Sequence, residues 1–236
     1  MSQVILFDLD GTLTESGEGI INCVQYALEK LGKRRTSGKS AVFYRSSLKE
    51  QFMKYAGLSE KEGEKAVVYY RERYTTTGIF ENRLYPKIPE LLELLKINNK
   101  ILAVASSKPE VYVKQILEHF QIADYFTAIV GSELDGRRTE KAEVIEEALR
   151  RMHLEEERDK VLMVGDRSHD VQGAISCGLQ CIGGCLRIRK PGKNWKKQVL
   201  SISQTVWKIW ESLPVRTMKK LQKMLNLCGI LFPDRR

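Results

Sequence analysis

Near the start of the chain an apolar run stops abruptly at two carboxylates: Val4-Ile5-Leu6-Phe7-Asp8-Leu9-Asp10-Gly11-Thr12-Leu13-Thr14. On a strand, acids at i and i+2 share one face, and Gly11 lets the backbone turn sharply just after them. Two carboxylates so close repel each other. A hard divalent cation such as Mg²⁺, which prefers oxygen ligands, is the natural partner between them.

Three further signals follow along the chain. Ser106-Ser107-Lys108-Pro109 comes directly after the apolar run Ile101–Ala105. Its hydroxyls, together with the open N–H groups of a helix beginning at Pro109, suit a phosphate. Lys141 opens a helical pattern after the polar stretch 131–140. Gly165-Asp166-Arg167-Ser168-His169-Asp170 follows the apolar run Val161–Val164. Each signal alone reads more simply as a helix cap or a solvated side chain. Together, in this order and each after a strand, they describe a phosphoryl-transfer site. In it Asp8 is the nucleophile, so that a covalent carboxylate intermediate divides one hard step into two. Asp10 is the general acid for the leaving group and then the general base for water. Asp8, Asp10 and Asp166 make the expected Mg²⁺ set, with Asp170 in an outer position. Thr12, Ser106, Ser107 and Lys141 are the expected phosphate-binding groups.

The elements that must position these residues alternate. Strands are expected at the first apolar run and at Ile101–Ala105, Phe126–Val130, Val161–Val164 and Leu179–Ile182. Helices are expected from Pro89 to Leu95, from Pro109, over Ala142–Met152 and over Val171–Cys177. This order predicts an α/β fold with a parallel, Rossmann-like sheet covered on both faces, and a ligand site outside the strands' carboxyl ends. Residues 15–82 interrupt it with helical periodicity alone: Ile20, Val24, Ala27, Leu28 and Leu31, then Leu48–Ala56, then a helix whose Ser59 and Glu62 have capping-box spacing. The expected organisation is a core of 1–14 and 83–184, a helical insertion of 15–82, and an atypical tail of 185–236.

The motif set over 1–32 and 48–184 resembles the haloacid dehalogenase-like hydrolase superfamily: DxDGT, a Ser after the second motif strand, a Lys, then GDxxxD. Gly17-Glu18-Gly19-Ile20-Ile21, Val104-Ala105-Ser106-Ser107-Lys108-Pro109 and Gly131-Ser132-Glu133-Leu134-Asp135-Gly136 are similar to its phosphoglycolate phosphatase and 5′-nucleotidase-like branch, in which a small helical cap follows the first strand. The resemblance implies Mg²⁺-dependent hydrolysis of a small phosphomonoester, such as phosphoglycolate or a 5′-nucleotide, through an aspartyl-phosphate at Asp8. A sugar-phosphate mutase would share the first step. A phospho-acceptor signalling module would use similar groups, but with its acceptor Asp at the end of a later strand. A catalytically silent homologue would show no turnover.

Composition sets outer bounds. The chain has 236 residues, 42% of them apolar, and a formal charge of +9. No stretch approaches the roughly 20 apolar residues of a membrane span. Five cysteines without a paired framework fit a reducing cytoplasm, the expected compartment. The positive charge is local. Residues 186–236 hold 13 basic and 2 acidic residues, which leaves 26 basic and 28 acidic elsewhere. A small phosphorylated metabolite is therefore the expected partner, and nucleic acid is not.

Two basic stretches, 33–47 and 185–236, depart from the family pattern, and we read both as out-of-frame translation. Val42-Phe43-Tyr44-Arg45-Ser46-Ser47 can be encoded so that starting one base later gives Cys-Phe-Ile-Gly-Pro-Pro, which resembles the family's cap loop. Asn194 through Trp210 can be encoded so that starting two bases later gives Leu-Glu-Glu-Ala-Gly-Ala-Glu-Tyr-Ile-Ala-Asp-Ser-Val-Glu-Asp-Leu, which resembles its closing helix and strand. Sequencing the coding DNA is expected to find codons that permit both alternate readings. Codons that forbid them would end the idea.

Overall fold

The computed structural model describes residues 3–33 and 48–183. The stretches assigned above to out-of-frame translation fall, apart from their margins, outside these residues. The described chain forms two compact units, one from 3–13 with 86–183 and one from 14–33 with 48–85.

The first unit is built on five parallel strands: β1 (Val4–Phe7), β2 (Ile101–Pro109), β3 (Ala128–Ser132), β4 (Val161–Gly165) and β5 (Gln180–Gly183). Their spatial order is β3-β2-β1-β4-β5, so β1 is central. Phe7 is in register with Val104 of β2 and Val164 of β4. All four residues of β1 are buried, as the uninterrupted apolar run requires of a parallel strand covered on both faces.

On one face, Val4, Leu6, Ala103, Ala105 and Val130 pack with Val144, Ile145, Ala148 and Leu149 of helix α6 (Lys141–Met152) and Ala174 of helix α7 (Ser168–Ser176). The alternate residues Ile5, Phe7, Leu102 and Val104 are buried as well. Helices α4 (Ile88–Ile97) and α5 (Glu110–His119) complete this unit, with Leu92, Leu95, Val113 and Ile116 buried.

Several boundaries differ from the sequence expectation; β2, for one, runs on to Pro109 instead of ending at Ala105. β3 begins at Ala128 rather than Phe126, whose ring instead packs edge-on against Phe7 at 6.4 Å. α7 starts at Ser168 rather than Val171, because the Arg167 amide donates to Asp170 Oδ2 at 3.0 Å and caps an earlier turn.

The second unit is helical: α1 (Gly17–Lys30), α2 (Leu48–Ala56), α3 (Glu60–Arg73) and a wide turn at Tyr74–Gly78. Ser59 and Glu62 form the capping box that opens α3. Arg73 and Glu81 pair through two bonds of 2.7 Å. Ile20, Val24, Ala27, Leu28, Phe52 and Ala66 are among its buried residues. Among the described residues, no helix is long and apolar enough to cross a membrane.

Leu149 is fully buried in the core between α6 and the sheet. Leu149→Ala is expected to cost about 2–5 kcal/mol, through lost apolar transfer and the cavity left behind. A urea midpoint shift at unchanged m-value would report it.

Candidate active site

Parallel strands present their carboxyl ends along one edge, so residues that follow β1, β2 and β4 meet there. Asp8 leaves β1 with its backbone N–H donating to the Val164 carbonyl at 2.9 Å, which continues the ladder one residue past the strand. Its side chain is buried and accepts from Lys141 Nζ at 2.7 Å. The same ammonium contacts Asp170 Oδ1 at 2.8 Å and donates to the Ala105 carbonyl at 2.9 Å. One cation from the first turn of α6 thus joins groups carried by β1, β2 and α7.

Glycines make room for these side chains. A Cβ on Gly173 would lie 2.6 Å from Lys141 Cγ, so the lysine stem crosses α7 where a side chain is missing. Gly11 has φ +93°, and a Cβ there would lie 2.4 Å from Asp166 Oδ2. The turn after Asp10 and the close approach of Asp166 both require this residue to be glycine.

The side chains of Asp8, Lys141 and Asp170 are 8%, 5% and 2% exposed, so the cluster is nearly dry. Burial raises the Asp8 carboxyl above its ordinary range; Lys141 pulls the other way, while Asp170 and Asp10 push with burial. Burial also works against the Lys141 ammonium. The two carboxylates outweigh it and hold the lysine above its ordinary value. Lys141 therefore keeps its charge at neutral pH.

Asp8, Asp166 and Asp170 each present an oxygen within 4.8 Å of the others. The expected metal set named Asp10 and placed Asp170 further out. Asp10 stands outside this triad, with Oδ2 paired to Lys108 Nζ at 2.7 Å. Ser106 is buried and accepts from the Lys108 N–H at 3.4 Å, whereas its neighbour Ser107 is exposed. Thr12 Oγ1 is buried with no hydrogen-bond partner among the described residues. Sequence reasoning gave no role to Lys108 or to Arg167, whose Nε lies 3.6 Å from Asp166 Oδ1. Both lie inside motifs that reasoning had singled out, but nothing in the spacing showed which acid each would meet.

Residues 5–183 match the family model for haloacid dehalogenase-like hydrolases. The chain belongs to this family. It is 46% identical over 180 residues to a 5′-nucleotidase of Pseudomonas aeruginosa, covering 76% of this chain and 80% of that protein. It is 32% identical over 176 residues to a phosphoglycolate phosphatase of Aquifex aeolicus, with coverages of 75% and 81%. The chain is also similar to a protein named tyrosine-protein kinase PtkA, from Mycobacterium tuberculosis. That protein is 38% identical over 180 residues, which span 76% of this chain and 61% of the kinase. A solved structure of a predicted phosphatase from Clostridium acetobutylicum superposes with a TM-score of 0.71 at 43% identity, over 79% of this chain and 86% of that one.

The donor set of this haloacid dehalogenase-like site fits a hard divalent cation, because every candidate ligand is a carboxylate oxygen. Asp170 Oδ1 pairs with the Lys141 ammonium, and its Oδ2 accepts from the Arg167 amide. Asp8 and Asp166 are then the better-placed donors. Lys141→Ala removes the ammonium from between buried carboxylates. In metal-free buffer it is expected to cost about 3–5 kcal/mol, the usual effect of stripping one partner from a buried ion pair. Added Mg²⁺ is expected to restore part of that loss by binding the native state. Denaturant titrations with and without the ion test both statements.

Proposed function

We propose that this protein is a Mg²⁺-dependent phosphatase that hydrolyses a small phosphomonoester, phosphoglycolate- or 5′-nucleotide-like, through an aspartyl-phosphate on Asp8. The observation that carries this reading is the Asp8–Lys141 contact of 2.7 Å at the carboxyl end of the central strand. A carboxylate oxygen stands ready to attack, and a permanent cation lies beside it where phosphoryl charge would collect. The similar proteins named 5′-nucleotidase and phosphoglycolate phosphatase support the substrate class.

In the first half-reaction an Asp8 oxygen attacks phosphorus, the bond from phosphorus to the ester oxygen breaks, and Asp10 gives its proton to the departing alkoxide. In the second half, water attacks the phosphorus, its proton passes to Asp10, and the bond from phosphorus to Asp8 breaks. Inorganic phosphate is released and both carboxyl groups return to their starting states. Lys141 opposes phosphoryl charge throughout. Thr12 and Ser106 are buried hydroxyls suited to donate to phosphoryl oxygens, whereas Ser107 is exposed. Mg²⁺ held by Asp8 and Asp166, with Asp170 behind them, would supply further positive charge against the phosphoryl oxygens.

A panel of small phosphate esters assayed with Mg²⁺ is expected to show turnover that a chelator abolishes. Asp8→Asn should fall to background while its melting curve shows a folded protein. Asp10→Asn should lower kcat on alkyl esters by about 10²–10⁴-fold, the usual contribution of a positioned acid–base group. Undiminished turnover in Asp8→Asn would refute the nucleophile assignment.

A further inference from the structure

Lys108 is a nearly buried cation that the mechanism above does not use. Its side chain is 8% exposed, and its ammonium lies 2.7 Å from Asp10 Oδ2 in a carboxylate that is 15% exposed. Its backbone is fixed on both sides. The Lys108 N–H donates to Ser106 Oγ at 3.4 Å. Its carbonyl oxygen passes 2.5 Å from where a Cβ on Gly131 of β3 would stand, so the strand's missing side chain lets this turn of β2 close in. The register of β2 against β3 also shifts between Ala105 and Pro109, which re-aims the residues in between.

Asp10 needs such an anchor. It stands two residues after Asp8, and the two carboxylates repel. Left alone, Asp10 would turn toward water. A fixed ammonium on one of its oxygens sets where the carboxyl plane points.

We infer that Lys108 is a positioning residue for Asp10 in the second half-reaction, holding that carboxylate where it receives the proton of the water that attacks the phosphoenzyme. The inference rests on the proposed roles of Asp8 and Asp10. In the step concerned, the water oxygen bonds to phosphorus, one water proton moves to Asp10, and the electron pair of the breaking phosphorus–oxygen bond returns to Asp8.

The test uses para-nitrophenyl phosphate with Mg²⁺, because this leaving group departs without a proton and separates the two halves. Rapid mixing would give the nitrophenolate burst and the decay of the phosphoenzyme. Lys108→Met is expected to keep the burst and to slow decay by about tenfold to a hundredfold, the scale set by a misplaced group. Lys108→Arg, which retains a cation, should recover most of the rate. Lys108→Gln, which keeps the length and a donor, serves if the methionine variant does not fold. In an Asp10→Asn background, Lys108→Met should add less than about twofold, since coupled residues are not additive. Equal slowing in both backgrounds, or no slowing in either, would overturn the inference and leave the phosphatase reading intact. A wild-type protein that forms no phosphoenzyme would remove both.

Discussion

The site depends on how much like charge can be held at one sheet edge. Asp8 and Asp170 are almost completely buried, and Asp166 approaches both. Removing several carboxylates from water costs several kcal/mol per ion unless counter-charge and hydrogen bonds meet them. Lys141 supplies that counter-charge from within. Its Nζ touches two carboxylates and a strand carbonyl at 2.7–2.9 Å. A lysine so placed is as much a part of the fold as of the chemistry. Without it the two acids would drive apart the elements that carry them.

That requirement reaches into the surrounding architecture. Lys141 can arrive only because α6 begins at this edge of the sheet and because Gly173 leaves room for its stem against α7. Asp170 can receive it only because α7 begins at Ser168, one turn ahead of its apolar periodicity, with the Arg167 amide bonded to Asp170. Asp8 stays at the centre because β1 is the middle strand and its ladder continues one residue past Phe7 to Val164. Topology, capping and glycine placement therefore serve one electrostatic end.

Much of this was legible in the chain before any coordinates. The acids at 8 and 10, the serine at 106 and the acids at 166 and 170 each come shortly after an apolar run, and a parallel sheet brings such positions together; the lysine at 141 opens a helix after a polar stretch. The strands were legible as apolar runs, the fully buried β1 and β4 most plainly. What remained hidden was pairing. Spacing alone put Asp8 and Asp10 on one face with a shared partner. The structure instead gives each its own ammonium, Lys141 for Asp8 and Lys108 for Asp10. Lys108 reaches Asp10 through the irregular turn of β2, and no periodicity encodes where such a turn points. The β3 boundary was hidden for a related reason. Phe126 is apolar whether it sits in a strand or packs its ring on Phe7, and only the second arrangement is found.

Separate cations for the two acids suit the two different tasks proposed for them, nucleophile for Asp8 and proton carrier for Asp10. A nucleophile needs a charge that stays beside it after it has become a phosphate ester, when negative charge on the phosphoryl group is greatest. Lys141, buried and bridged to Asp170, can remain there whether Asp8 is a carboxylate or an ester. A proton carrier needs an orientation and must still exchange its proton with the leaving group and with water. The Lys108–Asp10 pair is the more exposed of the two, and it lies in a turn of β2 instead of under a helix. One shared lysine would tie the position of the proton carrier to the covalent state of the nucleophile. Under the proposed mechanism, two lysines let Asp8 pass through its covalent state while Asp10 keeps its place.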